Sequence, residues 1–218
     1  PATQNSVLNL LRAVVRDECG CVLPPLPRAR VRHAEARTLS ADEQSRLEAY
    51  LLEHPGPAEL GVLLCLRTGI RIGELCALRW DGVSLRDGTI RIAATLQRLR
   101  DTDAAGGART RIVIGPPKSD TSARTIPLTD GAAALCRRMA PGDAAAYVLT
   151  GTEDYMEPRT LQYRLGKYVR DCGLEGVHAH TLRHTFATRA IESGFELKSL
   201  SEVLGHATTA ITMERYVH

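Results

Sequence analysis

The chain has 218 residues, 44% hydrophobic and 24% charged, with a formal net charge of +3. That length supports one substantial core, with room for a fragment of a second domain. No apolar run reaches the roughly 18 residues of a membrane span, and no basic-then-apolar leader opens the sequence, so a cytoplasmic protein is expected, with no membrane partner.

Residues 6–18 place Val7, Leu10, Leu11, Val14 and Val15 at helical spacing. CVLPPLPRARVRH then stops any helix, because closely spaced prolines favour extended chain. The first segment reads as the end of a preceding domain and about 20–37 as a basic linker, giving units 1–37 and 38–218. Starting at Pro1, the chain reads as an excised piece of something longer. Arg28, Arg30, Arg32 and Arg37 cluster in the linker, and Arg98, Arg100, Arg109 and Arg111 flank a second stretch. Such runs are commonly solvated faces, but two of them favour a nucleic-acid partner.

Ser40-Ala41-Asp42-Glu43 has the form of a capping box, followed by Leu47, Tyr50 and Leu51 as an apolar stripe. A helix over about 57–67 ends at Gly69, suited to a left-handed cap, and another runs from Ile72 to Leu78. The period then changes. Residues 87–97, 108–115 and 122–128 alternate like strands and suggest one small three-stranded antiparallel sheet. Beyond Thr129 helices are expected at about 129–139, 158–171, 180–193 and 197–204, with a final short turn before Tyr216. The fold class is therefore α+β, mainly helical with a three-stranded sheet.

Cys19, Cys21, Cys65, Cys76, Cys136 and Cys172 follow no metal-ligand spacing and read as reduced, mostly buried hydrophobes. AHTLRHTFATRA, residues 179–190, sets His180, Arg183 and His184 at i, i+3 and i+4, on one face of a helix. Zinc, an anion or plain structure would each suit such a face. Arg183 between the imidazoles argues against a cation, and no glutamate follows as a water-activating base.

Four pieces in order, TGIRIGELCALRW (68–80), PPKSDTSARTIPL (116–128), HAHTLRHTFATRA (178–190) and LGHATTAITMERYVH (204–218), resemble the catalytic domain of the tyrosine recombinases, the phage-integrase family. The resemblance covers roughly residues 38–218, and residues 1–18 look like the tail of that family's core-binding domain. It implies six catalytic residues: Arg71, Lys118 in a β-hairpin turn, His180 and Arg183 of H-x-x-R, His206 of L-G-H, and Tyr216 as nucleophile. Glu74 is implied as a buried support for the arginines, and His184 as structural. Arg28, Arg30, Arg32, Arg37 and Arg124 are the expected DNA-binding residues.

What the resemblance implies is a site-specific DNA recombinase or integrase, working through a 3′-phosphotyrosine without metal, ATP or other cofactor. Its partners would be double-stranded DNA at a specific recombination site and, when full length, further copies of itself in a tetramer on two duplexes. A bacterial, nucleoid-associated location follows. The chemistry suits the residues. Two arginines can hold the oxygens of a phosphodiester by bidentate bonds without losing their protons. Tyr216, with a reference pKa of about 10, needs a base, for which His180 is the expected group. No phosphate-binding glycine loop or carboxylate cluster for magnesium is present in the sequence. Two rivals remain: a type IB topoisomerase-like relaxase, and a DNA-binding module with an idle active site. The small size and the L-G-H element favour the recombinase.

Overall fold

Helix α1 (Ala2–Cys19) turns Val7, Leu10, Leu11 and Val14 to one exposed face. It is the helix expected at 6–18, extended by a turn at its start. The structure, a computed structural model, describes residues 2–22, 24, 36–101, 110–117 and 123–216. Arg28, Arg30, Arg32 and Lys118 lie outside the described residues. The chain divides into two units, Pro1–Ala36 and Arg37–His218.

In the second unit, Ser40 caps α2 (Ala41–Glu53). Its hydroxyl accepts from the Glu43 amide at 3.2 Å, and the Glu43 carboxylate accepts from the Ser40 amide at 2.9 Å. Arg37 grips the same carboxylate at 2.7 and 3.0 Å. Hydrogen bonds from Arg37 and then from the Ser40 backbone hold the Glu43 carboxyl at about 2. Replacing Ser40 by Ala is expected to cost about 1 kcal/mol, seen by calorimetry as a fall in Tm of about 2–4 °C. No measurable fall would mean that the Arg37–Glu43 pair alone seats the helix.

Helix α3 (Pro57–Thr68) is the central element, buried from Leu60 to Leu66. It packs on α2, on α5 (Asp130–Met139), on α6 (Pro158–Asp171) and on α7 (Ala179–Glu192). Proline occupies its first turn, where a missing N–H costs nothing. Gly69, at φ 64°, closes it with its amide bonded to Cys65 O. The next helix, α4 (Ile72–Cys76), is shorter than expected. A Cβ on its Gly73 would lie 2.8 Å from Leu96 O, so strand β3 (Thr95–Arg100) crosses directly over this helix.

The sheet departs from expectation. Five strands form among the described residues: β1 (Val83–Ser84), β2 (Thr89–Ile92), β3, β4 (Thr110–Gly115) and β5 (Arg124–Pro127). They make two sheets. One is β1-β2-β5, with Ile90 opposite Ile126 and Ile92 opposite Arg124; the other is the β3-β4 hairpin. The single strand expected over 87–97 is thus two strands with different partners, parted at Ala93-Ala94. Ile90, Ile92 and Leu96 are all buried and keep the same parity across the break. The alternation runs through it, and nothing local marks the change of partner. A three-stranded antiparallel sheet does exist, though not of the three expected strands.

The remaining helices fall close to their expected ranges: α5, α6, α7, α8 (Leu197–Leu204) and α9 (Thr209–Tyr216). The last was expected only as a short turn. Ala187, Leu200 and Leu204 are fully buried where α7 and α8 meet. No helix among the described residues is long and apolar enough to cross a membrane.

Candidate active site

Two glycine-capped helix ends interlock to build the site. The first is Thr68-Gly69-Ile70-Arg71, between α3 and α4; the second is Leu204-Gly205-His206, after α8. Gly205 also takes a left-handed cap, at φ 62°. Each turn presents carbonyls to an arginine from elsewhere. Arg71 Nη2 donates to Gly205 O at 2.7 Å. Arg183, from α7, donates through Nη1 to Gly69 O and through Nη2 to Leu204 O, both at 2.6 Å, and Nη2 lies 3.0 Å from His206 Nε2. Leu204, Gly205 and His206 in turn each meet one of the two arginines, which gathers Arg71, Arg183 and His206 into a single cluster.

Glycine is required at both turns for two reasons. The left-handed backbone favours it, and there is no space for a side chain. A Cβ at Gly69 would stand 2.6 Å from the Phe186 ring, and one at Gly205 2.9 Å from the Arg124 guanidinium.

Below the cluster lies Glu74, only 3% exposed. Its Oε1 accepts from Arg71 Nη1 at 2.8 Å and from Arg124 Nη1 at 3.0 Å; its Oε2 accepts from the Arg71 amide at 3.0 Å and from Arg124 Nη2 at 2.8 Å. Burial by itself would push this carboxyl up. The hydrogen bonds and charges of Arg124 and then Arg71 outweigh burial and hold it below the usual carboxylate range. One buried anion thus fixes two cations.

Arg124 lies beside Glu74. Expected at the DNA, its side chain is 7% exposed and is spent on Glu74 and, through Nε, on Val203 O at 2.6 Å. Strand β5 packs beside α8 there, and the guanidinium is turned into the domain. Arg37, also expected at DNA, is engaged with Glu43 and with the carbonyls of Thr38 and Glu175. Contact with a phosphate would require it to exchange those partners.

Arg71 keeps its side chain 34% exposed while anchored at its inner edge. His180 is exposed in the first turn of α7, three residues before Arg183. His184 is half-buried on the same helix. Tyr216 is the last residue of α9; its side chain, like Lys118, lies outside the described residues. The structure therefore brings together Arg71, Arg183, His206 and the supporting Glu74, with His180 one turn from Arg183.

Thr212 escaped the sequence reading. It is 0% exposed on α9, with its hydroxyl 2.8 Å from His206 Nδ1. Helical spacing alone cannot show which face of α9 turns inward. Ser201 Oγ adds a second tie just before α9 by donating to Thr208 O at 3.3 Å.

The cysteines divide. Cys65, Cys76 and Cys136 are buried, whereas Cys19 and Cys21 are exposed. Burial pushes the Cys65 thiol up to about 12 despite the nearby positive charge of Arg183, so it stays protonated and is no rival nucleophile. Among the described residues no three His, Cys, Asp or Glu side chains gather in a metal-sized group.

The sequence profile of the phage integrase family matches residues 37–218. The chain is 27% identical over 214 residues to a tyrosine recombinase XerC-like protein of Caldanaerobacter subterraneus, covering 90% of this chain and 54% of that protein. It is 30% identical over 222 residues to tyrosine recombinase XerA of Thermococcus kodakarensis, covering 95% and 68%. A XerC of Xanthomonas campestris is 31% identical over 84% of this chain and 51% of its own length. The chain thus spans about half to two thirds of these relatives. In fold it resembles the Tn1549 transposon integrase in complex with a circular intermediate DNA, with TM-score 0.70 and 21% identity over 100% of this chain and 75% of that one. The catalytic domain of bacteriophage HP1 integrase gives TM-score 0.55 and 23% identity over 83% and 87%.

Proposed function

Because the chain belongs to the phage integrase family of tyrosine recombinases, we propose that it is the catalytic part of a site-specific DNA recombinase, acting in the bacterial cytoplasm on double-stranded DNA. The observation that carries this reading is the interlock of Arg71 and Arg183 through the carbonyls of Gly69, Leu204 and Gly205. It holds two permanent cations and an imidazole at one place, an arrangement suited to an oxyanion. Electrostatic stabilisation of this kind is commonly the largest part of catalysis.

The step balances without an outside reactant. The Tyr216 phenol oxygen attacks the scissile phosphorus and forms a P–O bond, while its proton passes to His180. The P–O5′ bond breaks, and Lys118 returns a proton to the departing oxygen. Arg71 and Arg183 take the charge on the non-bridging oxygens, and His206 donates to one of them. The phosphotyrosine conserves the energy of the broken ester, so a second 5′-hydroxyl can reverse the step on another strand. Four copies on two duplexes would supply the paired strands. The basic segment holding Arg28, Arg30 and Arg32 is proposed to follow the phosphate backbone, which gives affinity without sequence information.

A nicked suicide duplex tests this. The protein is expected to become covalently joined to DNA at a specific sequence, in the presence of EDTA as in its absence, and Tyr216→Phe is expected to form no adduct while still binding. Relaxation of any supercoiled plasmid would identify a topoisomerase instead. Retarded DNA without an adduct would leave a binding module.

A further inference from the structure

Arg183 determines how His206 holds its proton. A guanidinium only donates hydrogen bonds, so His206 Nε2, 3.0 Å from Arg183 Nη2, must accept. The neutral ring then carries its hydrogen on Nδ1 and donates it to the Thr212 hydroxyl oxygen at 2.8 Å. A doubly protonated ring is incompatible with this arrangement, because it would set an N–H against an N–H and one cation against another. In this tautomer the Nε2 edge offers a lone pair and cannot donate to a phosphate oxygen.

Donation from Nε2 needs the other tautomer, and that tautomer needs a hydrogen-bond donor at Nδ1. A backbone carbonyl there would lock the resting form. A hydroxyl both donates and accepts, and the one at Nδ1 is fully buried, so water is no ready substitute. We propose that Thr212 is a positioning residue that sets the tautomer of His206, accepting from Nδ1 while the pocket is empty and donating to it once a phosphodiester draws Arg183 away from Nε2. During a transient opening of the pocket one water takes the Nδ1 proton and another supplies the proton at Nε2, so the proton count and the ring's charge are unchanged. Thr212 stands four residues before Tyr216 on α9. The donating form is therefore available only while the helix that carries the nucleophile is seated, which ties phosphate activation to the presence of the attacking group. The phosphate-bound half of this inference rests on the recombinase reading; the resting tautomer does not.

Two measurements test it. Ring-nitrogen NMR shifts of isotope-labelled histidine distinguish the tautomers directly. The free protein at a pH where His206 is neutral is expected to show Nδ1–H, and addition of orthovanadate, which mimics the pentacoordinate phosphate, is expected to convert it to Nε2–H in wild type but not in Thr212→Val. In suicide-substrate cleavage, Thr212→Val, which keeps the shape and loses the hydroxyl, is expected to fall about 10²-fold in rate with its Kd for duplex within about threefold. Thr212→Ser is expected to restore most of the rate. An Nε2–H ring in the free protein would overturn the inference. So would equal impairment of the Val and Ser variants, which would indicate packing, or a Val variant that cleaves like wild type. If the wild-type protein forms no adduct, the recombinase reading falls, and the NMR response to vanadate still decides the role of Thr212.

Discussion

Arg183→Ala is expected to lower DNA cleavage by about 10²–10³-fold, the loss seen when an oxyanion donor is removed from a dry site. Binding to the duplex is expected to stay within about tenfold, because many backbone contacts share the affinity. The side chain is 5% exposed and ties Gly69 O to Leu204 O. Its removal leaves two buried carbonyls without that partner and opens the junction between the two glycine turns. A stability loss of about 2–4 kcal/mol should therefore accompany the catalytic one. Cleavage has to be measured well below the lowered Tm, with circular dichroism confirming the fold. Arg183→Lys separates the two effects. A lysine can meet one carbonyl but cannot span both while facing a phosphate, so partial recovery of Tm without recovery of cleavage is the expected pattern. A loss of affinity as large as the loss of rate would remove Arg183 from the chemistry.

Glu74→Ala is expected to be the most destabilising single change in the domain, at about 3–5 kcal/mol, because it strands a cation whose side chain is 7% exposed. Arg124 cannot turn to solvent without breaking its bond to Val203 O, and Arg71 would lose the anion that sets its angle. Cleavage should fall with stability, yet the Arg124→Met/Glu74→Met pair should recover much of the Tm, since removing both charges relieves the penalty that removing one creates. The same ion cluster makes the fold acid-sensitive. A carboxyl held below its ordinary 4.5 stabilises the native state at every pH above that unfolded value, and the contribution is lost as pH falls through the folded one. Urea midpoints measured from pH 7 downward should therefore drop more steeply below about pH 4.5 in wild type than in Glu74→Gln. Parallel curves would mean that Glu74 titrates normally.

The helices were legible because their signals are local. Ser40 with Glu43, the proline of the first turn of α3, Gly69 and Gly205 act within a few residues of themselves, and apolar periodicity needs only its own segment. The strands were legible as strands for the same reason, but their pairing was not. Ala93-Ala94 interrupts no alternation, and the choice between β4 and β5 as partner is made across the sheet. Arg124 shows the same limit for a side chain. Its residue type announces a charge that needs a partner, and an arginine in a basic chain suits a phosphate as well as a carboxylate. Only the fold, which lays β5 beside α8, brings it to Glu74, 50 positions away.

From the sequence alone come the chemical inventory and its order along the chain: two arginines, a lysine, two histidines and a tyrosine at spacings that match one family, on helices whose ends are marked by their own caps. These are properties of residue type and short-range geometry, and they survive translation into a string of letters. The tertiary structure decided which of those groups meet. Arg71 reaches a carbonyl 134 positions away and Arg183 one 114 positions away, and a buried hydroxyl on α9 faces the His206 ring. Hydrogen-bond direction and the exclusion of water depend on what surrounds a group in space, so they arise only when distant turns close on one another.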